Sequence, residues 1–261
     1  MQHLPAPIHH ARDAAQLPVA IDYPAALALR QMSMVHDELP KYLLAPEVSA
    51  LLHYVPDLRR KMLLATLWNT GARINEALAL TRGDFSLTPP YPFVQLATLK
   101  QRTEKAARTA GRIRMPAGQQ THRLVPLSDA WYVSQLQTMV ATLKIPMERR
   151  NKRTGRTEKA RIWEVTDRTV RTWIGEAVAA AAADGVTFSV PVTPHTFRHS
   201  YAMHMLYAGI PLKVLQSLMG HKSISSTEVY TKVFALDVAA RHRVQFSMPE
   251  SDAVSMLKRI P

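Results

Sequence analysis

The sequence contains no cysteine, which excludes disulfide bonds and metal sites built from thiolates. No apolar run reaches the ~20 residues that a membrane-spanning helix needs. Residues 1–7 have neither the basic end nor the apolar core of a signal peptide. Together these absences predict a soluble protein of a reducing cytoplasm, without a membrane partner.

Acidic residues are also scarce compared with basic ones. The 261-residue chain has 20 Asp and Glu against 33 Lys and Arg, a formal net charge of +13. Its hydrophobic content of 47% is typical of a globular protein, and its length suits one large domain or two small ones. A basic balance of this size favours a polyanionic partner, most commonly nucleic acid.

The excess positive charge is concentrated in two segments. Residues 100–127 carry seven Lys and Arg against one Glu, and residues 144–161 carry eight against two. Both segments are polar and contain Gly and Thr, as expected of loops that contact a nucleic acid backbone, although two solvated linkers would have the same composition. The candidate DNA-binding residues of the first segment are Arg102, Lys105, Arg108, Arg112, Arg114 and Arg123.

Local patterns predict a mainly α-helical fold with one small antiparallel β-sheet. Apolar runs at residues 93–99 and 122–127 predict the two strands of a hairpin with a long basic tip. Residues 148–160 look disordered, and residues 1–23 are expected to form a mobile arm. Helices are predicted at residues 24–38, from 45 onward, at 57–70, 73–80, 128–143, 166–184, 193–209 and 211–220, around 230, and at 236–246 and 249–260.

Two short motifs in the last third of the chain supply candidate phosphate-binding side chains. His195 and Arg198 stand three residues apart on a predicted helix and therefore share one face. Such a pair is a weak signal alone, since about one match is expected by chance in this composition. Its position at a helix start after Pro194 adds weight. His221 follows Gly220 at a predicted helix end, where a hydrogen-bond donor lies on a bend.

Two arginines could hold one phosphate. A guanidinium fork matches two non-bridging phosphate oxygens and stays charged. Arg73 and Arg198 could therefore bind a phosphate from opposite sides, and each well-placed donor is worth roughly 3–4 kcal/mol in a transition state. Glu76 lies one helical turn after Arg73 and either orients it or forms an exposed ion pair worth under ~1 kcal/mol.

Tyr230 is the candidate nucleophile. A free phenol has a pKa of about 10, so it needs nearby positive charge and a base before it can attack. The polar segment 225–231 around it differs from the surroundings of a typical core tyrosine, although most single tyrosines serve packing. The leaving 5′-oxygen would take a proton from Lys100, at the end of the first predicted strand, with Lys105 as the competing candidate.

Other histidines of the same region have a simpler interpretation. His199 is expected to face away from the candidate site and to be structural. A metal site formed by His195, His199 and His204 would lack suitably spaced carboxylate or thiolate partners. We therefore expect neither a metal nor any other cofactor.

Taken in order, these motifs resemble the tyrosine recombinase, or phage integrase, family. The resemblance implies the DNA breaking–rejoining enzyme fold in a catalytic domain at residues 41–235. It also implies an N-terminal arm and short helix at 1–40, with a reduced or absent core-binding domain, and a helical tail at 236–261 that contacts a neighbouring protomer. The resemblance is carried by Thr-Gly-Ala-Arg-Ile-Asn-Glu-Ala-Leu-Ala-Leu (70–80), the hairpin lysine, Thr-Pro-His-Thr-Phe-Arg-His-Ser-Tyr-Ala (193–202) and Leu-Gln-Ser-Leu-Met-Gly-His-Lys-Ser-Ile-Ser-Ser-Thr-Glu-Val-Tyr (215–230).

The family's chemistry, carried over to these positions, is strand transfer without ATP. Tyr230 would attack the scissile phosphate, giving a 3′-phosphotyrosyl link and a free 5′-hydroxyl. The remaining roles fall to five side chains: phosphate binding to Arg73, Arg198 and His221, general acid catalysis to Lys100 and assistance in proton transfer to His195.

The resemblance also implies the partners. These are double-stranded DNA with a specific recombination site, a homotetramer on two paired sites, and accessory DNA-binding proteins. The expected role is resolution of plasmid or replicon multimers in a bacterial cytoplasm, in association with the plasmid or nucleoid. Two rivals stay open: DNA relaxation like that of a type IB topoisomerase, and a non-catalytic DNA-binding partition or accessory factor.

Overall fold

The computed structural model describes residues 23–35, 39–98, 122–151, 153–242 and 256, and more than half of these residues are helical. Most of the predicted N-terminal arm, the basic tip of the hairpin and most of the final predicted helix lie outside the described residues. The helices are α1 (Tyr23–Val35), α2 (Ala45–His53), α3 (Leu58–Thr70), α4 (Ile74–Leu78), α5 (Ala130–Thr142), α6 (Asp167–Ala183), α7 (Pro194–Tyr207), α8 (Leu212–Met219) and α9 (Ser225–His242), with a 3-10 turn at Arg82–Asp84.

The helix ends that matter for the site follow local sequence signals. The side chain of Asp57 accepts a hydrogen bond from the Arg60 N–H (2.8 Å) and so caps α3, which ends at Gly71 with φ +59°. Helix α8 likewise ends at Gly220 with φ +63°. Glycine enters this left-handed region without the steric cost of a Cβ, so both helices stop abruptly there.

The predicted hairpin is confirmed. Strands β2 (Phe93–Ala97) and β3 (His122–Pro126) pair antiparallel, with Ala97 opposite His122, and a short strand β1 (Phe85–Ser86) extends the sheet on the other side of β2. Side chains alternate between buried and accessible along β2 and β3, as the strand period of two requires.

The expected disorder at residues 148–160 is wrong. Strands β4 (Glu148–Arg150) and β5 (Thr157–Lys159) form a second antiparallel hairpin. Arg149 binds Glu158 across the strands (2.8 Å) and also pairs with Glu164. At the turn, the Asn151 side chain accepts hydrogen bonds from two following backbone N–H groups. Polar pairing stabilises this hairpin, so no hydrophobic alternation marked it in the sequence.

Three predicted helix boundaries also differ. The short helix around residue 230 and the described part of the helix at 236–246 belong to one continuous helix, α9, because neither Gly nor Pro interrupts residues 225–242. Asp129, rather than Ser128, caps α5 by accepting a hydrogen bond from the Tyr132 N–H (3.1 Å). Helix α4 covers 74–78 instead of 73–80, and Arg73 is its N-cap residue.

Helix α3 lies at the centre of the core. It packs against α5 and α7, and Met62, Leu63, Leu64 and Ala65 are fully buried in it. Helix α1 packs against α9, and its buried Arg30 pairs with Glu47 and donates to the Ser189 hydroxyl (2.6 Å). Within the described residues, no helix combines the length and apolar character needed to cross a lipid bilayer.

Candidate active site

Arg198 connects the two turns that carry the other candidate phosphate-binding residues. It lies in α7 and is 3% exposed. Its Nη1 donates to the Gly71 carbonyl (2.5 Å) and its Nη2 to the Met219 carbonyl (2.6 Å). Gly71 stands two residues before Arg73, and Met219 two before His221. The Arg198 guanidinium therefore holds the two turns together.

Burial and the nearby charge of Arg73 lower the pKa of Arg198 to about 10. The side chain still stays charged at neutral pH. Two hydrogen bonds use only two of the five N–H groups that a guanidinium carries, so donors remain for an anion. Arg198 thus combines a structural attachment with free donor capacity.

Glu76 orients Arg73 from a buried position. Its Oε1 accepts from Arg73 Nη1 (2.9 Å) and its Oε2 from the Arg73 backbone N–H (2.9 Å). The Glu76 side chain is 0% exposed, while that of Arg73 is 35% exposed. Burial raises the pKa of Glu76, but hydrogen bonds from Arg123 and Arg73 outweigh it and leave the pKa below its ordinary value. Of the two alternatives for Glu76, the buried orienting contact is the one present.

Arg123 is placed differently from an exposed DNA-contacting arginine. It lies on β3 with 8% of its surface exposed, on the same face as the buried Val125. Its Nη2 binds Glu76 Oε2 (2.6 Å) and its Nε donates to the Leu218 carbonyl (2.8 Å). The strand period of two was the available signal, because it puts Arg123, Val125 and Leu127 on one face.

The histidines surround this cluster. His221 lies directly after the left-handed Gly220, and its Nδ1 is 2.9 Å from the Thr227 hydroxyl. Burial, then the charges of Arg198 and Arg73, lower the pKa of His221 to about 4. His195 lies in the first turn of α7 and remains accessible to solvent. Partial burial and the same two arginines also lower its pKa, so both rings are mainly neutral at pH 7.

Tyr230 lies on α9 and is only 2% exposed, unlike the polar setting expected from its neighbours in the sequence. Its hydroxyl is 2.9 Å from Nδ1 of His199. Burial raises the pKa of Tyr230 to about 12, although Arg198 and Arg73 act in the opposite direction. The candidate nucleophile is therefore a neutral phenol near both arginines, withdrawn from solvent.

The expectation that His199 faces away is wrong. Its ring stacks edge-on against His195 (4.5 Å between centroids) and contacts Tyr230. Burial, with the charges of the neighbouring side chains, lowers its pKa to about 4. The helical period was the missed signal, since residues i and i+4 share a face as residues i and i+3 do.

Most candidate DNA-binding residues lie outside the described residues. Strand β2 ends at Ala97 and β3 begins opposite it at His122, so residues 98–121 connect the two strands at one end of the hairpin. The DNA-binding candidates concerned are Arg102, Lys105, Arg108, Arg112 and Arg114, and Lys100, the candidate general acid, also lies outside the described residues.

Comparisons with known proteins identify the family of the chain. The model of the phage integrase family matches residues 41–236. A protein of Escherichia coli named Resolvase is 98% identical over 258 residues, which cover 99% of this chain and 98% of that protein.

Solved structures support the fold. The crystal structure of XerA recombinase matches with a TM-score of 0.56 and 18% identity, covering 85% of this chain and 76% of that one. XerH site-specific recombinase, bound to its difH substrate, matches with a TM-score of 0.50 and 19% identity; 74% of this chain covers 50% of that one. The chain thus spans half the length of the XerH chain, and at such identities the likeness concerns the fold alone. The family match covers most of the sequence, and the chain therefore belongs to the phage integrase family of site-specific tyrosine recombinases.

Proposed function

We propose that the chain cleaves and rejoins DNA strands at a specific site through a 3′-phosphotyrosyl intermediate on Tyr230. The observation that carries this proposal is the attachment of Arg198 to both the Gly71 and the Met219 carbonyl. It brings the turns of Arg73 and His221 to one guanidinium, close to the tyrosine. A binding module would have no need to hold these groups beside a phenol.

Arg73, Arg198 and His221 bind the scissile phosphate. Both arginines supply charge and directed donors, which stabilise the additional negative charge of the pentacoordinate phosphorus. The contact of His221 with Thr227 fixes the orientation of its ring, so that the other ring nitrogen can face the phosphate. These donors stand in place before DNA arrives, which avoids reorganisation during the reaction.

The reaction is an exchange of one phosphodiester for another. The Tyr230 oxygen forms a bond to phosphorus, the bond from phosphorus to the 5′-oxygen breaks, and Lys100 gives a proton to that oxygen. His195, which is mainly neutral at pH 7, takes the proton of the phenol. Rejoining reverses these steps with the 5′-hydroxyl of a partner strand, so the energy of the bond is conserved and ATP is not needed.

Tyr230 must leave its contact with His199 before it attacks. An imidazole with a pKa of about 4 is a very weak base towards a phenol with a pKa of about 12. The hydrogen bond between them therefore holds a neutral, unreactive phenol. DNA binding has to shift α9 enough to bring the hydroxyl in line with the phosphate.

The proposed partner is double-stranded DNA with a specific recombination site, bound by a homotetramer on two paired sites and assisted by accessory DNA-binding proteins. The name Resolvase of the near-identical Escherichia coli protein supports resolution of plasmid multimers as the biological outcome. The basic segments 100–127 and 144–161 supply the charge for backbone contacts. The proposed setting is the bacterial cytoplasm, in association with the plasmid.

Covalent trapping tests the proposal. Nicked DNA with the cognate site is incubated in EDTA with the wild type, with Tyr230→Phe and with Tyr91→Phe, a control at an 83% exposed tyrosine. We expect an SDS-resistant adduct with the wild type and the control but not with Tyr230→Phe. An adduct on Tyr230→Phe would remove this residue from its role. DNA binding without any adduct would favour a non-catalytic accessory factor.

A further inference from the structure

Arg123 occupies an interior position that its charge alone does not explain. Strand β3 directs this residue towards the core, on the same face as Val125, while the neighbouring Leu124 is 58% exposed. A buried guanidinium is kept only where other groups compensate for its lost hydration. Its contacts inside the protein therefore indicate what it does.

The first contact leads to Arg73. Arg123 Nη2 binds Glu76 Oε2 at 2.6 Å, and the same oxygen accepts the Arg73 backbone N–H at 2.9 Å. The other oxygen of Glu76 binds the Arg73 guanidinium. Glu76 is thus a fully buried carboxylate between two arginines, and Arg123 fixes the position from which it orients Arg73.

The second contact leads to His221. Arg123 Nε donates to the Leu218 carbonyl at 2.8 Å, in the last turn of α8. Gly220 lies against the same guanidinium, because a Cβ placed there would stand 2.9 Å from Arg123 Nη1. The Arg123 side chain therefore fixes the position of the turn that carries His221.

We propose that Arg123 is a positioning residue, which from strand β3 holds Glu76 and Arg73 in register with the turn that carries His221. The inference rests on the proposed function, since it concerns the same site. Arg198 joins the two turns from one side and Arg123 joins them from the sheet.

Kinetics can separate this role from a direct contact with DNA. Arg123→Met and Arg123→Lys are compared with the wild type on nicked DNA, with the adduct-forming rate measured at saturating DNA and DNA affinity measured separately. We expect Arg123→Met to slow the rate by about 100-fold, because displacement of catalytic groups by about 1 Å has effects of that size. DNA affinity should change less than about 3-fold, and Arg123→Lys should recover part of the rate.

A matched control removes an arginine that bridges two segments elsewhere. Arg59 donates to the Ile162 carbonyl through Nε and Nη2, at 3.1 and 2.5 Å. Arg59→Met should lose stability without a change in the rate per active molecule, counted from the final adduct yield. A rate loss in Arg123→Met that matches its loss of active molecules would show a structural role only. If Arg123→Met does not fold, Arg123→Lys carries the test, with an expected slowing of about 10-fold.

A double-mutant cycle tests the path through Glu76. In a Glu76→Gln background, Arg123→Met should slow the reaction much less than in the wild type, because the link to Arg73 is already broken. Independent, multiplying effects would overturn that path.

A fall in affinity with an unchanged saturating rate, and a salt slope smaller by about one, would show a phosphate contact instead. Absence of an adduct with the wild type would contradict the proposed function itself, whereas an adduct together with fully active Arg123 variants would contradict only this inference.

Discussion

The side chains of the site fall into two groups that the protein holds in different ways. The arginine–histidine cluster (Arg73, Arg198 and His221) is fixed by buried contacts to carbonyl groups, to Glu76 and to Thr227. Tyr230, in contrast, is turned into the protein and has its hydroxyl on His199. In the proposed function, the first group is prepared to bind a phosphate before DNA arrives, and Tyr230 is held away from that phosphate.

This difference has a physical basis. Donors that stabilise a developing charge work best when they need no rearrangement during the reaction. A rigid arrangement therefore suits the role proposed for the arginine–histidine cluster. A nucleophile that was equally ready would attack any phosphate that entered the site. In the proposed function, the withdrawn position of Tyr230 makes DNA cleavage depend on a movement of α9.

A substitution in the arginine–histidine cluster should have the largest effect on the rate of adduct formation. Arg198→Lys keeps the positive charge but cannot reach both the Gly71 and the Met219 carbonyl, so the two turns lose their attachment through Arg198. We expect the single-turnover rate of adduct formation to fall by about 1000-fold, since the loss of one such donor already costs about 100- to 1000-fold. DNA affinity should change less than about 5-fold.

Arg60→Lys serves as the control for that substitution. Arg60 lies on α3, where it pairs with the exposed Glu176 and covers the Trp173 ring. Its replacement should leave the rate unchanged. An equal loss of rate and affinity in Arg198→Lys would mean that Arg198 binds the ground state and the transition state alike, contrary to its proposed role in the transition state.

The turn that carries Arg73 begins at Gly71, where a side chain would not fit. Gly71 has φ +59°, and a Cβ there would overlap the Tyr201 ring. Gly185 has φ +80° with open space around the corresponding position. Gly185→Ala should cost only the left-handed conformation, about 1–2 kcal/mol, whereas Gly71→Ala should cost about 1–3 kcal/mol more from the overlap.

Urea unfolding measures both glycine variants. A second substitution, Tyr201→Ala in the Gly71→Ala background, removes the overlapping ring and should therefore cost less than Tyr201→Ala costs alone. Equal destabilisation by the two glycine variants would show that the Gly71 turn shifts to accommodate the added Cβ. The turn would then not be rigid.

Much of the arginine–histidine cluster could be predicted from the sequence. Gly71 and Gly220 mark helix ends, and Arg73 and His221 follow them at short distance, so local rules place these residues at turns. The spacing of His195 and Arg198 likewise gives a shared helix face. Local signals suffice here because each side chain sits at a position defined by the helix that precedes or contains it.

The remaining features depend on contacts between distant parts of the chain. Nothing near Tyr230 in the sequence indicates that its hydroxyl meets His199, 31 residues away. Arg123 looked like one more charge of a basic loop, because its partner Glu76 lies 47 residues earlier. The hairpin at 148–160 was missed since ion pairs, not apolar residues, join its strands. Burial and pairing of charged groups are tertiary properties, and composition does not reveal them.

Substitution of His199, the hydrogen-bond partner of Tyr230, should give the smallest effect on the rate of adduct formation. The change should be an increase instead of a decrease. His199→Phe removes the hydrogen bond to Tyr230 while it preserves most of the ring volume. A typical hydrogen bond contributes about 1 kcal/mol, so the withdrawn position should lose stability by that amount. If release of the tyrosine limits cleavage, adduct formation on nicked DNA should become about 5-fold faster. The same measurement on His204→Phe, whose ring stacks on Trp68 away from the tyrosine, should show no change. A slower reaction in His199→Phe alone would assign His199 to the chemical step, because a histidine that only stores the phenol cannot be needed for its attack.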